Sequence, residues 1–184
     1  MKGGRRPSVR GRPRRDPPVL DEKAAKLAAF ELLAHHAWST RELIRRLRRR
    51  GAPADVAGTV VGELQSRGYL DDEAFARWWA QARAEGRRIG SIRLRQELTT
   101  KGIPSGLAGA AIEAAFEESS ELDRALEAGR RRLPTLLRAA PERAPARLTG
   151  YLLRRGYPAA LVRRVVASLI GDEAGAAPDA DGSV

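Results

Sequence analysis

Arginine is the side chain with the widest chemical reach in this 184-residue chain. Lysine and arginine number 34 against 23 acids, which leaves a formal charge of +11. Guanidinium groups bind phosphate and carboxylate bidentately, so an excess of this size points to a polyanionic partner, most often nucleic acid. Other chemistry is scarce. Cysteine is absent, which excludes disulfides and thiolate nucleophiles. The two histidines, His35 and His36, are neighbours on one expected helix and cannot face one metal ion together. One of them is expected to pack on Trp38 or cap the helix end. Asp71, Asp72 and Glu73 are three adjacent acids, but no further ligands follow at metal spacing, and helix capping explains them better. There is no Gly-x4-Gly-Lys-Ser/Thr loop, no Gly-x-Gly-x-x-Gly turn, and no serine with a plausible base. No catalytic constellation, cofactor or metal site is expected.

The elements that carry the arginines come from a repeat. Leu43, Leu47, Gly51 and Pro53 recur as Leu94, Leu98, Gly102 and Pro104, and again as Leu148, Leu152, Gly156 and Pro158, with identical spacing. The glycines are 51 and 54 residues apart. Apolar residues follow each glycine at the same three offsets: Val56, Leu107 and Leu161; Val60, Ala111 and Val165; Leu64, Ala115 and Leu169. Each copy reads as a helix end, a left-handed glycine stop and a proline start at the first helical position. In the middle copy Ile103 should touch Leu98 as in a Schellman ending. A period near 50 residues signals a modular array.

In chain order, residues 1–18 hold seven basic side chains against Asp16 and few apolar ones. They read as a disordered basic arm, either phosphate-binding or a solvated tail. No apolar stretch there suits a secretory signal, four prolines argue against a transit helix, and no segment is long enough to span a membrane. The first helix is expected from Asp21 to about His36, burying Leu27, Phe30 and Leu33 or Ala34. Ser39 and Glu42 form an expected capping box for the second helix, which buries Leu43, Ile44 and Leu47. The third, Pro53 to Arg67, packs Val56, Val60, Val61 and Leu64. Asp71 or Asp72 caps a fourth that packs Phe75, Trp78, Trp79 and Ala82. A basic turn over 83–90 follows, then a fifth and sixth helix around Gly102, ending near Glu118. The third module begins at Ser120 with Leu122, Leu126 and Leu133 inward. Pro134, Pro141 and Pro145 mark 134–144 as an insertion. Two helices to Ile170 complete it, and 171–184 reads as an acidic flexible tail. The expected fold is all-α: three tandem three-helix, helix-turn-helix-like modules (19–68, 69–118, 119–170) in an elongated array, curved if the modules stack in a row.

The charge is unevenly placed on these elements. The second helices (40–50, 91–101, 142–155) carry +5, +2 and +3, while the third helices (53–67, 104–118, 158–170) carry −1, −3 and +2. The candidate partner- and phosphate-binding residues are therefore Arg45, Arg46 and Arg49 in module one. Module two offers Arg83, Arg87, Arg88, Arg93, Arg95 and Lys101, and module three Arg147, Arg154 and Arg155. Stacked modules would align them into one positive face. A helix-turn-helix reader of base sequence would instead place its last helix in the major groove. The last helices of modules one and two are net acidic, so base readout by them is disfavoured.

A resemblance joins these observations. Ser39-Thr40-Arg41-Glu42-Leu43, then Gly68-Tyr69-Leu70-Asp71-Asp72 with Phe75-Ala76, then Arg93 to Leu98 with Lys101-Gly102-Ile103, are similar to the RecX regulatory family. The run Tyr151 to Tyr157 resembles that family's C-terminal module. The likeness covers about residues 22–170; the arm, the 134–144 stretch and the tail lie outside it, and Gly150 within a helix is unusual. The resemblance implies a bacterial cytoplasmic protein that binds the RecA recombinase, above all its filament on single-stranded DNA, and restrains ATP hydrolysis, strand exchange or filament growth. With no catalytic constellation among the residues, no enzyme activity is expected. A monomer is expected, with weaker nonspecific contact to single- or double-stranded DNA and none to membrane. The alternative is an autonomous nonspecific DNA-binding protein that coats phosphates with its basic face.

Overall fold

The computed structural model describes residues 19–175. The expected basic arm and residues 176–184 of the expected tail lie outside the described residues. The first module holds α1 (Glu22–His35), α2 (Thr40–Arg49) and α3 (Ala54–Ser66). The second holds α4 (Asp72–Arg87), α5 (Ser91–Thr100) and α6 (Ser105–Ala115). The third holds α7 (Glu121–Ala139), a short 3-10 turn (Pro141–Arg143), α8 (Ala144–Arg154) and α9 (Ala159–Gly175). No strand occurs among the described residues. Each module encloses its own apolar cluster, and the extensive helix-on-helix packing runs within modules.

The repeated glycines do what their spacing requires. Gly51, Gly102 and Gly156 adopt φ of 101°, 83° and 85°, where a Cβ is unfavourable. In each turn the residue after the glycine bonds back to the second repeat leucine: Ala52 to Leu47 at 3.0 Å, Ile103 to Leu98 at 3.0 Å, Tyr157 to Leu152 at 3.3 Å. The glycine amides reach Arg48, Thr99 and Leu153 at 3.1, 2.9 and 2.9 Å, completing three Schellman endings. All six repeat leucines are fully buried, so truncating one to alanine should cost on the order of 2–5 kcal/mol. Pro53 and Pro104 sit at the N-cap, one position earlier than expected.

Alanine changes which faces turn inward. α1 buries Ala25, Ala28, Ala29 and Leu32, a 3.6-residue stripe. Leu27, expected inside, is 64% exposed; Phe30 is 37% exposed, Leu33 is half-buried and Ala34 is exposed. Small side chains let α1 approach α3 closely, and Phe30 instead meets Tyr69 edge-on at 5.4 Å. α4 does likewise. It buries Phe75, Ala76, Ala80 and Ala84 facing Ala108, Ala111 and Ala115 of the second cluster, which leaves Trp78 and Ala82 exposed and Trp79 half-buried.

Two breaks expected from sequence are helical. α4 runs through 83–87, where a turn was expected, and stops only at Arg88, a non-glycine residue at φ 49°. α7 runs through Pro134 to Ala139, so 134–139 is no insertion. Proline inside a helix loses one backbone bond and costs about 3 kcal/mol, but Leu133 and Leu136 are buried on either side of it. At the other end α9 continues past Ile170 to Gly175, into the stretch expected to be tail.

Candidate partner interface and the joints between modules

The modules meet at two equivalent joints. In each, the N-terminus of one module's second helix sits on the glycine turn of the next module. At the first, Ser39 caps α2 by accepting from the Glu42 amide at 3.3 Å, and its hydroxyl donates to the Lys101 carbonyl at 2.6 Å. Asp71 caps its own helix through the Glu73 and Ala74 amides. Asp72 reaches across and accepts from the Thr40 amide at 2.8 Å. The expected capping box is half-formed, because the Glu42 carboxylate turns away to accept from Lys101 Nζ at 3.0 and 2.9 Å. That pair is nearly enclosed, with side-chain exposures of 15% for Lys101 and 11% for Glu42. The ammonium also lies 3.8 Å from the Trp79 ring centre, a cation–π contact.

The second joint uses backbone. The Gly90 amide donates to the Arg155 carbonyl at 2.9 Å, and the Ile92 amide to the Gly156 carbonyl at 3.1 Å. Glu121 plays the part of Asp72, accepting from the Ser91 amide at 2.7 Å. Both acids place negative charge at a helix N-terminus, where the dipole favours it. Arg155 donates to the Arg87 carbonyl, and the Tyr157 hydroxyl donates to the Arg88 carbonyl at 2.9 Å. Burial pushes the Tyr157 phenol far above its ordinary range, which keeps it a donor. Arg88 pairs with Glu127 at 3.2 Å, and that hydrogen bond, with Arg131 nearby, holds the Glu127 carboxyl below its ordinary value. Each joint leaves one buried polar side-chain atom without a partner: Thr40 Oγ1 in the first, Arg88 Nε in the second.

These joints sort the candidate residues. Lys101, Arg88, Arg93 and Arg155 lie in the joints, Arg93 with its nitrogens near Glu97 and the Arg154 carbonyl, each at 3.3 Å. Arg87 lends its carbonyl to the second joint while its side chain stays exposed. Arg83 is pinned between Glu97 at 3.5 Å and the Trp79 ring at 4.2 Å. Arg45 pairs with Glu42 at 3.5 Å, and Arg46 covers Trp38 at 4.2 Å. Trp38 also meets His36 edge-on at 5.8 Å. Arg49, Arg95, Arg147 and Arg154 are exposed and form no ion pair among the described residues.

Arg49, Arg147 and Arg154 fall in two arginine-lined grooves, while Arg95 lies outside both. One, on α2, is lined by Arg41, Arg45, Arg48 and Arg49 around Ile44. The other lies between α7 and α8 and joins Arg147 and Arg154 to Arg132 and Arg143, which sequence reasoning missed. Treating 134–144 as an insertion hid the continuity of α7 that brings them together. Gly150, already unusual inside a helix, was the visible trace of this groove. Among the described residues no cluster of acids and histidines could hold a metal ion, and no helix is long and apolar enough to cross a membrane.

Comparison with known proteins agrees with this architecture. Residues 71–112 match the second three-helix domain of RecX, and 119–166 match its third. A regulatory protein RecX from Amycolatopsis mediterranei is 35% identical over 150 residues, covering 82% of this chain and 85% of the relative. One from Chromobacterium violaceum is 32% identical over 155 residues, covering 84% and 97%. The crystal structure of RecX from Lactobacillus salivarius superposes with a TM-score of 0.70 at 14% identity, over 81% of this chain and 96% of that one. With its second and third modules matching the corresponding RecX domains in order and relatives at this identity over most of its length, the chain belongs to the RecX family of regulatory proteins.

Proposed function

We propose that this chain is a non-enzymatic cytoplasmic regulator that binds the RecA recombinase filament on single-stranded DNA and restrains its activity. Family membership carries this reading. The charge distribution supports it: joint cations hold the array together, while Arg48, Arg49 and Arg95 remain exposed and without ion pairs among the described residues. A row of modules joined by hydrogen bonds, with free guanidinium groups, suits an acidic, helical protein surface. The test is ATP hydrolysis by preformed filaments on single-stranded DNA, titrated with this protein in the presence of excess competitor DNA. Inhibition should survive the competitor. Changing Arg48, Arg49 and Arg95 together to Glu should raise the concentration for half-inhibition about tenfold or more, since reversed charge repels an acidic partner, with helicity unchanged. Inhibition that falls in proportion to competitor DNA would instead favour plain phosphate coating. That second reading predicts a steep salt dependence, about 0.9 log unit per neutralised duplex phosphate per log unit of salt.

A further inference from the structure

The groove between α7 and α8 differs from the arginine-lined groove on α2 in drawing its cations from two helices and a turn and in having an aromatic ring, Tyr151, in its lining. It encloses about 640 Å³, inside the range of small-ligand sites. Arg132 comes from α7, Arg143 from the 3-10 turn, and Arg147 and Arg154 from α8. All four are exposed. Among the described residues the only ion pair any of them makes is Arg143 with its neighbour Glu142, at 3.7 Å. No carboxylate lines the groove. Its floor is apolar and low, with buried Leu136 and the bare Cα of Gly150, where an added Cβ would meet nothing but the Arg154 side chain. Tyr151 stands half-buried at one edge, with the Arg155 and Arg132 guanidinium groups 4.8 and 5.9 Å from its ring centre.

An apolar floor beside an aromatic ring takes a flat base, and four guanidinium groups around it take phosphates. The cations are spread along two helices and a turn, and no glycine-rich amide nest gathers them. That spacing suits phosphates strung along a strand better than the clustered phosphates of one nucleotide. Duplex is disfavoured, because its bases are stacked away from such a floor. We infer that the α7–α8 groove of the third module is a binding site for single-stranded nucleic acid, with one base over the Gly150–Tyr151 floor and flanking phosphates on Arg132, Arg143, Arg147 and Arg154.

The test uses the full chain and a fluorescein-labelled oligothymidylate, with no recombinase present. Failure here therefore leaves the filament reading untouched, and failure of filament inhibition leaves this site standing. Arg147→Ala with Arg154→Ala should weaken binding at least tenfold and lower the salt slope by about 1.4, at roughly 0.7 per single-strand phosphate. The charge-matched control changes Arg163 and Arg164, exposed on α9 and outside the groove, to alanine. It should weaken binding no more than about twofold, as expected when only distant charge is removed. Because the Arg154 guanidinium would lie 3.0 Å from a Cβ at Gly150, Gly150→Leu is made in the Arg154→Ala background, where it fills the floor without moving a phosphate ligand. It should weaken binding about fivefold or more beyond Arg154→Ala at unchanged helicity, because base stacking on an apolar platform is a major part of such affinity. Equal losses from the two arginine pairs, or no effect of Gly150→Leu, would overturn the site. Displacement of the strand by ATP or tripolyphosphate at similar concentrations would also overturn it, and identify a free-nucleotide or polyphosphate site instead.

Discussion

The two joints solve one geometric problem with different chemistry. Thr40 and Ser91 each lie eleven residues before their module's turn glycine, and Lys101 and Arg155 each lie one before theirs. The same positions therefore meet in both joints. At the first, side chains do the bonding: Ser39 to a carbonyl, Asp72 to an amide, Lys101 to Glu42. At the second, Gly90 stands where Ser39 does, and the backbones close to direct hydrogen bonds. An added Cβ on Gly90 would lie 2.5 Å from the Gly156 carbonyl oxygen. A side-chain joint depends on particular charges, whereas a backbone joint depends on the absence of side chains. The first should be sensitive to removal of a charge, the second to addition of a methyl group.

Methyl addition at Gly156 should have the largest effect. Its φ is +85°, and a Cβ would lie 2.5 Å from the backbone nitrogen of Arg93, as well as against that residue's Cβ. The left-handed backbone alone costs about 1–2 kcal/mol in an alanine, and a clash with backbone should take Gly156→Ala to about 3 kcal/mol or beyond. Gly102→Ala has a similar φ of +83° but meets only the Arg41 side chain, whose Cβ is 2.6 Å away and whose outer atoms can swing aside. Its loss should be intermediate. Gly68→Ala, at φ +75° with nothing within 4 Å, should show the backbone cost alone, about 1 kcal/mol. Thermal unfolding followed by calorimetry ranks the three. Equal losses at Gly102 and Gly156 would break the distinction between the joints.

Charge removal should give the reverse order at a smaller scale. Lys101→Met leaves the Glu42 carboxylate nearly buried with only the exposed Arg45 beside it. Stranding a buried partner costs about 3–5 kcal/mol when burial is complete, so about 2 kcal/mol is expected for a pair that still touches solvent. Adding Glu42→Gln should recover part of that loss. Arg155→Met removes bonds to the Arg87 and Arg88 carbonyls but strands no carboxylate, and about 1 kcal/mol is expected. A double-mutant cycle on Lys101 and Glu42, beside the single change at Arg155, measures the contrast.

The helices and turns were legible because local chemistry sets them. A glycine two residues before a proline, with leucines four and eight residues earlier, specifies a Schellman turn without reference to anything distant. The inward face of α1 was misread because Leu27 and Phe30 outweighed Ala25, Ala28 and Ala29 on any scale of hydrophobicity, while close helix approach rewards small residues. The joints were invisible for another reason. Glu42 and Lys101 are separated by 59 residues, and Tyr157 and Arg88 by 69. Nothing local marks Asp72 as a cap for another module's helix when Asp71, its neighbour, caps its own. Lys101, Arg88 and Arg155 consequently read as free positive charge, and only module placement shows that they bind within the chain. The α7–α8 groove needed one further fact, that α7 tolerates Pro134.

The smallest expected effect separates the joints by acidity. Glu127 belongs to the second joint, where the Arg88 hydrogen bond lowers its folded-state pKa. A carboxyl depressed in this way contributes its stability above the unfolded-chain value of about 4.3 and loses it as pH falls through the lower folded value. Acid should therefore weaken the α4–α7 contact of the second joint. Glu63 is lowered in the same direction, first by the Lys26 hydrogen bond and then by Arg67, but it joins α1 to α3 inside the first module. Glu127→Gln and Glu63→Gln should each flatten the fall of the melting midpoint between about pH 6 and pH 3. Only Glu127→Gln should also change how the second and third modules separate, read as hydrogen exchange at the Gly90 and Ile92 amides. If acid exposes those amides equally in the native chain and in Glu127→Gln, the Arg88–Glu127 pair adds nothing to the second joint, and its backbone bonds with Glu121, Arg155 and Tyr157 account for its strength.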